Sequence, residues 1–124
     1  MLSIVIPAHD EARRIAPFLR LLREEFPADE LIVVANACAD ETSRLVAEQA
    51  AADPLLRLID VAARLGKGGA VRLGFHVARG DIVAFVDADG ATAPGELRRL
   101  ISHLGDADCV IGSRWADGAR VLVR

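Results

Sequence analysis

Little in this 124-residue sequence points to nucleic acid, a disulfide framework or a membrane span. Lysine and arginine number 15 against 18 aspartates and glutamates, and no segment gathers them into a stripe. That excludes the electrostatic footprint of a nucleic-acid binder. The two cysteines, Cys38 and Cys109, are far apart and lack CxxC spacing. Neither a disulfide scaffold nor a structural zinc is expected, and both read as free thiols in a reducing, cytoplasmic setting with no signal peptide ahead of them. No apolar run approaches the roughly 18 residues that would suggest a membrane span; Leu2–Ile6 is strand-sized and is followed by Pro7. Aromatic residues make up only 4%, against 52% apolar and 27% charged, a balance that places the chain among ordinary globular domains. One domain spanning 1–124 is the expected count, and a chain of this length buries about two-thirds of its unfolded surface.

Short β-branched apolar runs alternate with longer segments of helical period, the signal for a parallel sheet covered on both faces. Five runs read as buried strands: Leu2–Pro7, Asp29–Ala35, Leu55–Asp60, Ile82–Asp87 and Asp108–Gly112. Between them, Ala12–Phe26, Thr42–Ala52, Gly69–Ala78 and Pro94–Leu104 carry helical spacing, with Ile15, Phe18, Leu19 and Leu22 on one face of the first. Pro94 suits a first helical position, where its missing N–H would have no partner anyway. The expected fold is α/β, a doubly wound, mainly parallel sheet. Ligands of such sheets gather at the carboxyl ends of the strands, near the topological switch point.

The residues at those ends are polar and few. After the fourth strand comes Asp87-Ala88-Asp89-Gly90, whose carboxylates at i and i+2 point to one side if the backbone stays extended. Two hard oxygen ligands there suit Mg²⁺ or Mn²⁺ bridging to a diphosphate; the alternative is an acidic turn closed by Asp-Gly. After the third strand, Arg64-Leu65-Gly66-Lys67-Gly68-Gly69 leads into a helix. Glycines let backbone N–H groups approach an anion, and Lys67 adds positive potential. Neither Walker nor GxGxxG spacing is present, and a flexible connection is the other reading. Asp10 and Asp40 are acceptable N-caps for the helices that follow them. His9 fits a base, a stacking ring or a surface residue, and no Ser or Cys nucleophile is placed for a triad.

Taken in order, these segments resemble the donor-binding half of the family 2 glycosyltransferases with the GT-A fold, the group that includes the dolichol-phosphate mannose synthases. The resemblance rests on Ser3–Glu11, Val33–Thr42, Gly66–Ala70, Asp81–Pro94 with its Asp-Ala-Asp, and Ile111-Gly112-Ser113-Arg114. It implies that Pro7, His9 and Glu11 line the base and ribose pocket of a nucleotide-sugar, and that Val34 and Asn36 contact the base. It also implies that Asp87, Ala88 and Asp89 form the metal and diphosphate site, and that Arg114 lies near the donor, where a guanidinium offsets charge on the departing nucleoside diphosphate. Asp89 and Arg114 are thus the catalytic candidates.

Two departures stand out. The family's second-strand motif usually reads Asp-Asp-Gly-Ser, where this chain has Ala35-Asn36-Ala37-Cys38. The sequence also ends ten residues after Arg114, so the resemblance implies truncation before an acceptor-binding portion. The implied function is metal-assisted, inverting transfer of a sugar from a UDP- or GDP-linked donor to an unassigned acceptor. A lipid phosphate at a membrane surface suits that acceptor role, because a phosphate is already an anion and needs no base. A catalytically incomplete nucleotide-sugar-binding module paired with another chain is the alternative, and a homo-oligomer stays open. A sugar nucleotidyltransferase would want a glycine- and base-rich loop after the first strand, which Pro7-Ala8-His9-Asp10-Glu11 does not supply.

Overall fold

The computed structural model describes residues 1–112. Its four strands, β1 (Leu2–Ala8), β2 (Glu30–Asn36), β3 (Leu56–Val61) and β4 (Ile82–Phe85), alternate with four helices, α1 (Ile15–Glu25), α2 (Thr42–Ala52), α3 (Gly66–Val77) and α4 (Pro94–Ser102). All strand pairs are parallel, in the order β3-β2-β1-β4. Right-handed crossovers stepping from β1 through β3 put α1 and α2 on one face, and the return past β1 to β4 puts α3 on the other. The core follows that division. Ile4, Ile6, Leu31 and Val33 face α1, α2 and α4, while Val5, Ile32 and Val34 face Ala70 of α3.

α1 buries Ile15, Phe18, Leu19 and Leu22, a stripe at i, i+3, i+4 and i+7. It starts at Ile15 rather than Ala12 because Glu11–Arg14 form a turn closed by Arg14 and Ile15 N–H bonds to the Glu11 carbonyl. Pro17 falls in its first turn, where a missing N–H is tolerated, and Pro27 follows its end. α3 starts at Gly66, three residues before the expected Gly69. Glycine is a poor helix former, so the cause lies in tertiary packing of Ala70 and Gly74 on the sheet and in a cap supplied by β2, described below. The expected fifth strand at Asp108–Gly112 is not formed: no described strand pairs with it, and Ile111 is 78% exposed. Apolar composition alone does not make a strand without a ladder partner.

The close approach of α3 to the sheet depends on Gly74. A Cβ there would lie 2.3 Å from Val5 Cγ1 and 2.9 Å from its Cγ2, and Val5 is fully buried. Gly74→Ala is therefore expected to destabilise the fold by about 2 kcal/mol, overpacking outweighing the better helix propensity of alanine. Urea titration checks this; a more stable variant would show that α3 can move away freely.

A buried polar network ties the opposite ends of the strands. Glu30, 2% exposed, accepts the Ser3 hydroxyl at 2.7 Å and the Arg79 N–H at 2.9 Å on one oxygen, and Arg57 Nη1 at 3.1 Å on the other. Ser3 Oγ in turn accepts the Gly80 N–H at 2.8 Å. Burial raises the Glu30 carboxyl, but these donors outweigh it and hold the group below its ordinary value.

Candidate functional site

Strand order reverses direction at β1, whose neighbours are β2 and β4. The switch point is therefore the gap between the carboxyl ends of β1 and β4, the place where such sheets bind ligands. A cleft of about 330 Å³ opens there, lined by Pro7 at the end of β1, His9 and Glu11 after it, Asn36 at the end of β2, Gly66 and Lys67 of α3, and Asp87–Asp89 after β4. Its size falls within the range of small-molecule sites.

β4 itself ends at Phe85, two residues before Asp87, although Val86 still donates to the Val5 carbonyl at 3.0 Å. Beyond it the burial continues to alternate: Val86 and Ala88 are buried, Asp87 and Asp89 exposed. Both carboxylates line the cleft, although the backbone does not stay extended to Asp89: the chain turns at Ala88 and Asp89, so a turn and not strand alternation places the second carboxylate there. Asp89 Oδ1 accepts the Ala91 N–H at 2.9 Å, fixing a turn that Gly90 completes at φ +75°. Asp87 Oδ1 lies 2.6 Å from Lys67 Nζ. The glycine-rich segment and the Asp-Ala-Asp segment, separate in sequence, thus meet as an ion pair in one cleft.

His9 Nδ1 is 2.8 Å from the Asn36 carbonyl. A carbonyl only accepts, so Nδ1 carries the proton and the ring is held with Nε2 3.5 Å from the Asp10 carboxylate. The Asn36 side chain is 5% exposed. Its Nδ2 donates to the carbonyls of Ala63 at 2.6 Å and Val61 at 3.3 Å, and its Oδ1 accepts the N–H groups of Leu65 at 2.8 Å and Gly66 at 3.1 Å. Leu65, the N-cap of α3, has no side chain that can cap, so the carboxamide from β2 serves the helix instead.

A second acidic group lies beside the cleft. Ligand atoms of Asp10, Cys38 and Asp40 lie within 4.8 Å of one another, but the carboxylates are already occupied. Asp10 Oδ1 accepts the Ala39 and Asp40 N–H groups at 2.7 and 3.2 Å, and Asp40 accepts those of Ala12 and Thr42 at 3.1 and 3.0 Å. Asp40 reaches across to the β1–α1 loop while also capping the start of its own helix α2, as expected, whereas Asp10, expected to cap its own helix, caps the β2–α2 loop instead. Its positive φ of +50° turns the chain before α1 starts, and aspartate tolerates that conformation. Burial raises the Asp40 carboxyl, and the Thr42 hydroxyl with the surrounding N–H groups more than reverses it. Burial also raises the Cys38 thiol, which disfavours the thiolate a metal would need. The cluster is a clasp between the β1–α1 and β2–α2 loops.

Of the residues singled out in the sequence, Pro7, His9, Glu11, Asn36, Lys67, Asp87, Ala88 and Asp89 all line the cleft. Val34 is fully buried and packs with Ala70 in the core beneath it. Arg114 lies outside the described residues. Arg64 and Gly66 of the glycine-rich segment line the cleft too, as does Ala70, which the helical register of α3, starting at Gly66, brings under it.

Residues 3–122 match the family model described as Glycosyl transferase family 2. The chain is 39% identical to the glycosyltransferase AglD of Haloferax volcanii, over 91% of this chain and 19% of that protein. It is 34% identical to an undecaprenyl-phosphate mannosyltransferase of Micrococcus luteus, over 95% of this chain and 50% of that protein. It therefore spans at most about half the length of these relatives. Among solved structures it is similar to the mannosyltransferase PcManGT of Pyrobaculum calidifontis in complex with GDP-Man and Mn²⁺, with a TM-score of 0.74 and 29% identity over 86% of this chain and 32% of that one. Glucosyl-3-phosphoglycerate synthase of Mycobacterium tuberculosis, in complex with Mn²⁺, UDP and phosphoglyceric acid, gives a TM-score of 0.68 at 25% identity over 84% of this chain and 38% of that one.

Proposed function

The chain belongs to glycosyl transferase family 2, and on that premise we propose that its cleft binds the diphosphate of a UDP- or GDP-linked sugar for metal-assisted transfer, with inversion, to a polyprenyl phosphate. One observation carries the proposal: Asp87, Asp89 and Lys67 converge at the mouth of a cleft placed at the switch point. Asp87 and Asp89 would hold Mg²⁺ or Mn²⁺. The donor set fits, since both are exposed carboxylates at one mouth and Asp87 already pairs with a cation, the Lys67 ammonium. When bound, the ion polarises the diphosphate and stabilises the leaving group.

The chain's own residues supply the remainder. With Asp87 engaged elsewhere, Lys67 is free to pair with a phosphate oxygen, beside the N–H groups of the first turn of α3. His9, held through Nδ1, offers its ring to the base and ribose side with Pro7 and Glu11, and Val34 backs the floor from below. Arg114 would offset charge on the leaving nucleoside diphosphate. A polyprenyl phosphate attacks through an oxygen that is already anionic, so no base is required. Its choice as acceptor draws on relatives named for undecaprenyl phosphate and dolichyl phosphate. No described helix is long and apolar enough to cross a membrane; a lipid acceptor would bring a cytoplasmic protein to the membrane surface.

Calorimetry with UDP and GDP, with and without Mn²⁺, followed by a transfer assay to polyprenyl phosphate, tests this. Mn²⁺-dependent binding of one nucleotide with transfer is expected. Binding without turnover would make the chain a nucleotide-sugar-binding module that works with a partner; metal-independent binding would remove the metal from the reading, and no binding would refute both.

A further inference from the structure

We propose that Asn36 is a positioning residue: its carboxamide fixes the turn entering α3 and, through that turn, holds Lys67 over the diphosphate end of the cleft. The inference rests on the diphosphate reading for its consequence, though not for the latch itself. The carboxamide has two N–H donors and two acceptor lone pairs. All four are spent on one stretch of main chain: the Val61 and Ala63 carbonyls, and the Leu65 and Gly66 N–H groups. Nothing remains to read a nucleotide base without breaking one of these bonds. Among the described residues no other side chain hydrogen-bonds to the backbone between 62 and 66, so the segment depends on this group. The next residue is Lys67, 2.6 Å from Asp87.

The chemistry also accounts for the residue type. A carboxylate in this place, as in the Asp-Asp-Gly-Ser pattern, would still accept from Leu65 and Gly66. Its second oxygen would then face the Ala63 carbonyl at the 2.6 Å now spanned by an N–H bond. Two acceptors at that separation repel, and buried polar groups without partners are expensive. Gly66, at φ +74°, is the other half of the device: the turn needs a left-handed residue followed directly by the helix.

Asn36→Asp tests the latch, and Gly66→Ala tests it from the other side. A Cβ at Gly66 would meet no atom within 4 Å, so that variant perturbs only the backbone conformation. In the ligand-free protein, amide exchange at 64–68 is expected to quicken about tenfold or more in both variants, with β1 and β2 unchanged. Affinity for whichever of UDP and GDP binds tighter with Mn²⁺ should fall about tenfold in Asn36→Asp. The fall should shrink to about twofold or less when Lys67 is already alanine, with the UDP to GDP ratio unmoved. A role confined to stability would leave the loss the same in both backgrounds. Unchanged exchange at Leu65 and Gly66, or a changed base preference without dependence on Lys67, would overturn the proposal. If the wild-type protein binds neither nucleotide, the diphosphate reading fails while the exchange data still decide the latch.

Discussion

Asp89→Asn is expected to unfold at the wild-type temperature and to lose about 100-fold in Mn²⁺-dependent affinity for UDP or GDP. The side chain is exposed at the cleft mouth and its one described bond, from the Ala91 N–H to Oδ1, survives in an amide. Fold stability therefore has little to lose. On the proposed reading metal binding has much to lose, because the second of two hard anionic ligands would become a neutral one. Calorimetry beside a thermal melt reads both quantities on one sample. An affinity within twofold of wild type would remove Asp89 from the metal site.

The second large effect lies at the opposite end of the sheet. Glu30→Gln is expected to destabilise the protein by about 2 kcal/mol at neutral pH, because an N–H₂ group would then face the half-buried Arg57 guanidinium, leaving it only the Val77 carbonyl, and the buried network would lose its charged acceptor. The pH dependence has a definite sign. The folded-state Glu30 carboxyl sits below its ordinary value, so the unfolded chain takes up its proton first as pH falls. The contribution is complete above the ordinary carboxylate range and is lost as pH drops through the lower, folded-state value. Urea titrations of both proteins at pH 7 and again below pH 4 check this, with the gap expected to narrow in acid. A gap unchanged by acid would place the stabilisation in packing and not in the ionised carboxylate.

The sequence made some elements legible because local signals and tertiary demands agreed. β2 is apolar from Leu31 to Ala35 and is buried on both faces; α2 runs from Thr42 to Ala52 as its period predicts. Pro94 opens α4 in the manner its missing N–H suggests. Misses arose where a partner distant in sequence decided the outcome. Asp108–Gly112 has strand composition and no ladder among the described residues. α3 reaches back to Gly66 because a side chain from β2 caps it, which no window around the glycines reveals. Asp10 caps the β2–α2 loop and not its own helix. The cleft was legible as a set of strand ends; the Lys67–Asp87 pair and the saturated Asn36 carboxamide were not, since each joins segments that only the sheet order brings together.

If the switch-point carboxylates, and not the neighbouring acidic clasp, hold the cation that binds the diphosphate, the two places can be told apart residue by residue. Paramagnetic broadening of backbone amide signals by substoichiometric Mn²⁺, in the presence of UDP or GDP, makes that distinction. Broadening centred on 87–91 is expected, with signals at 38–41 less affected. Broadening centred on 38–41, or none that depends on nucleotide, would rule out Asp87 and Asp89 as the cation's ligands.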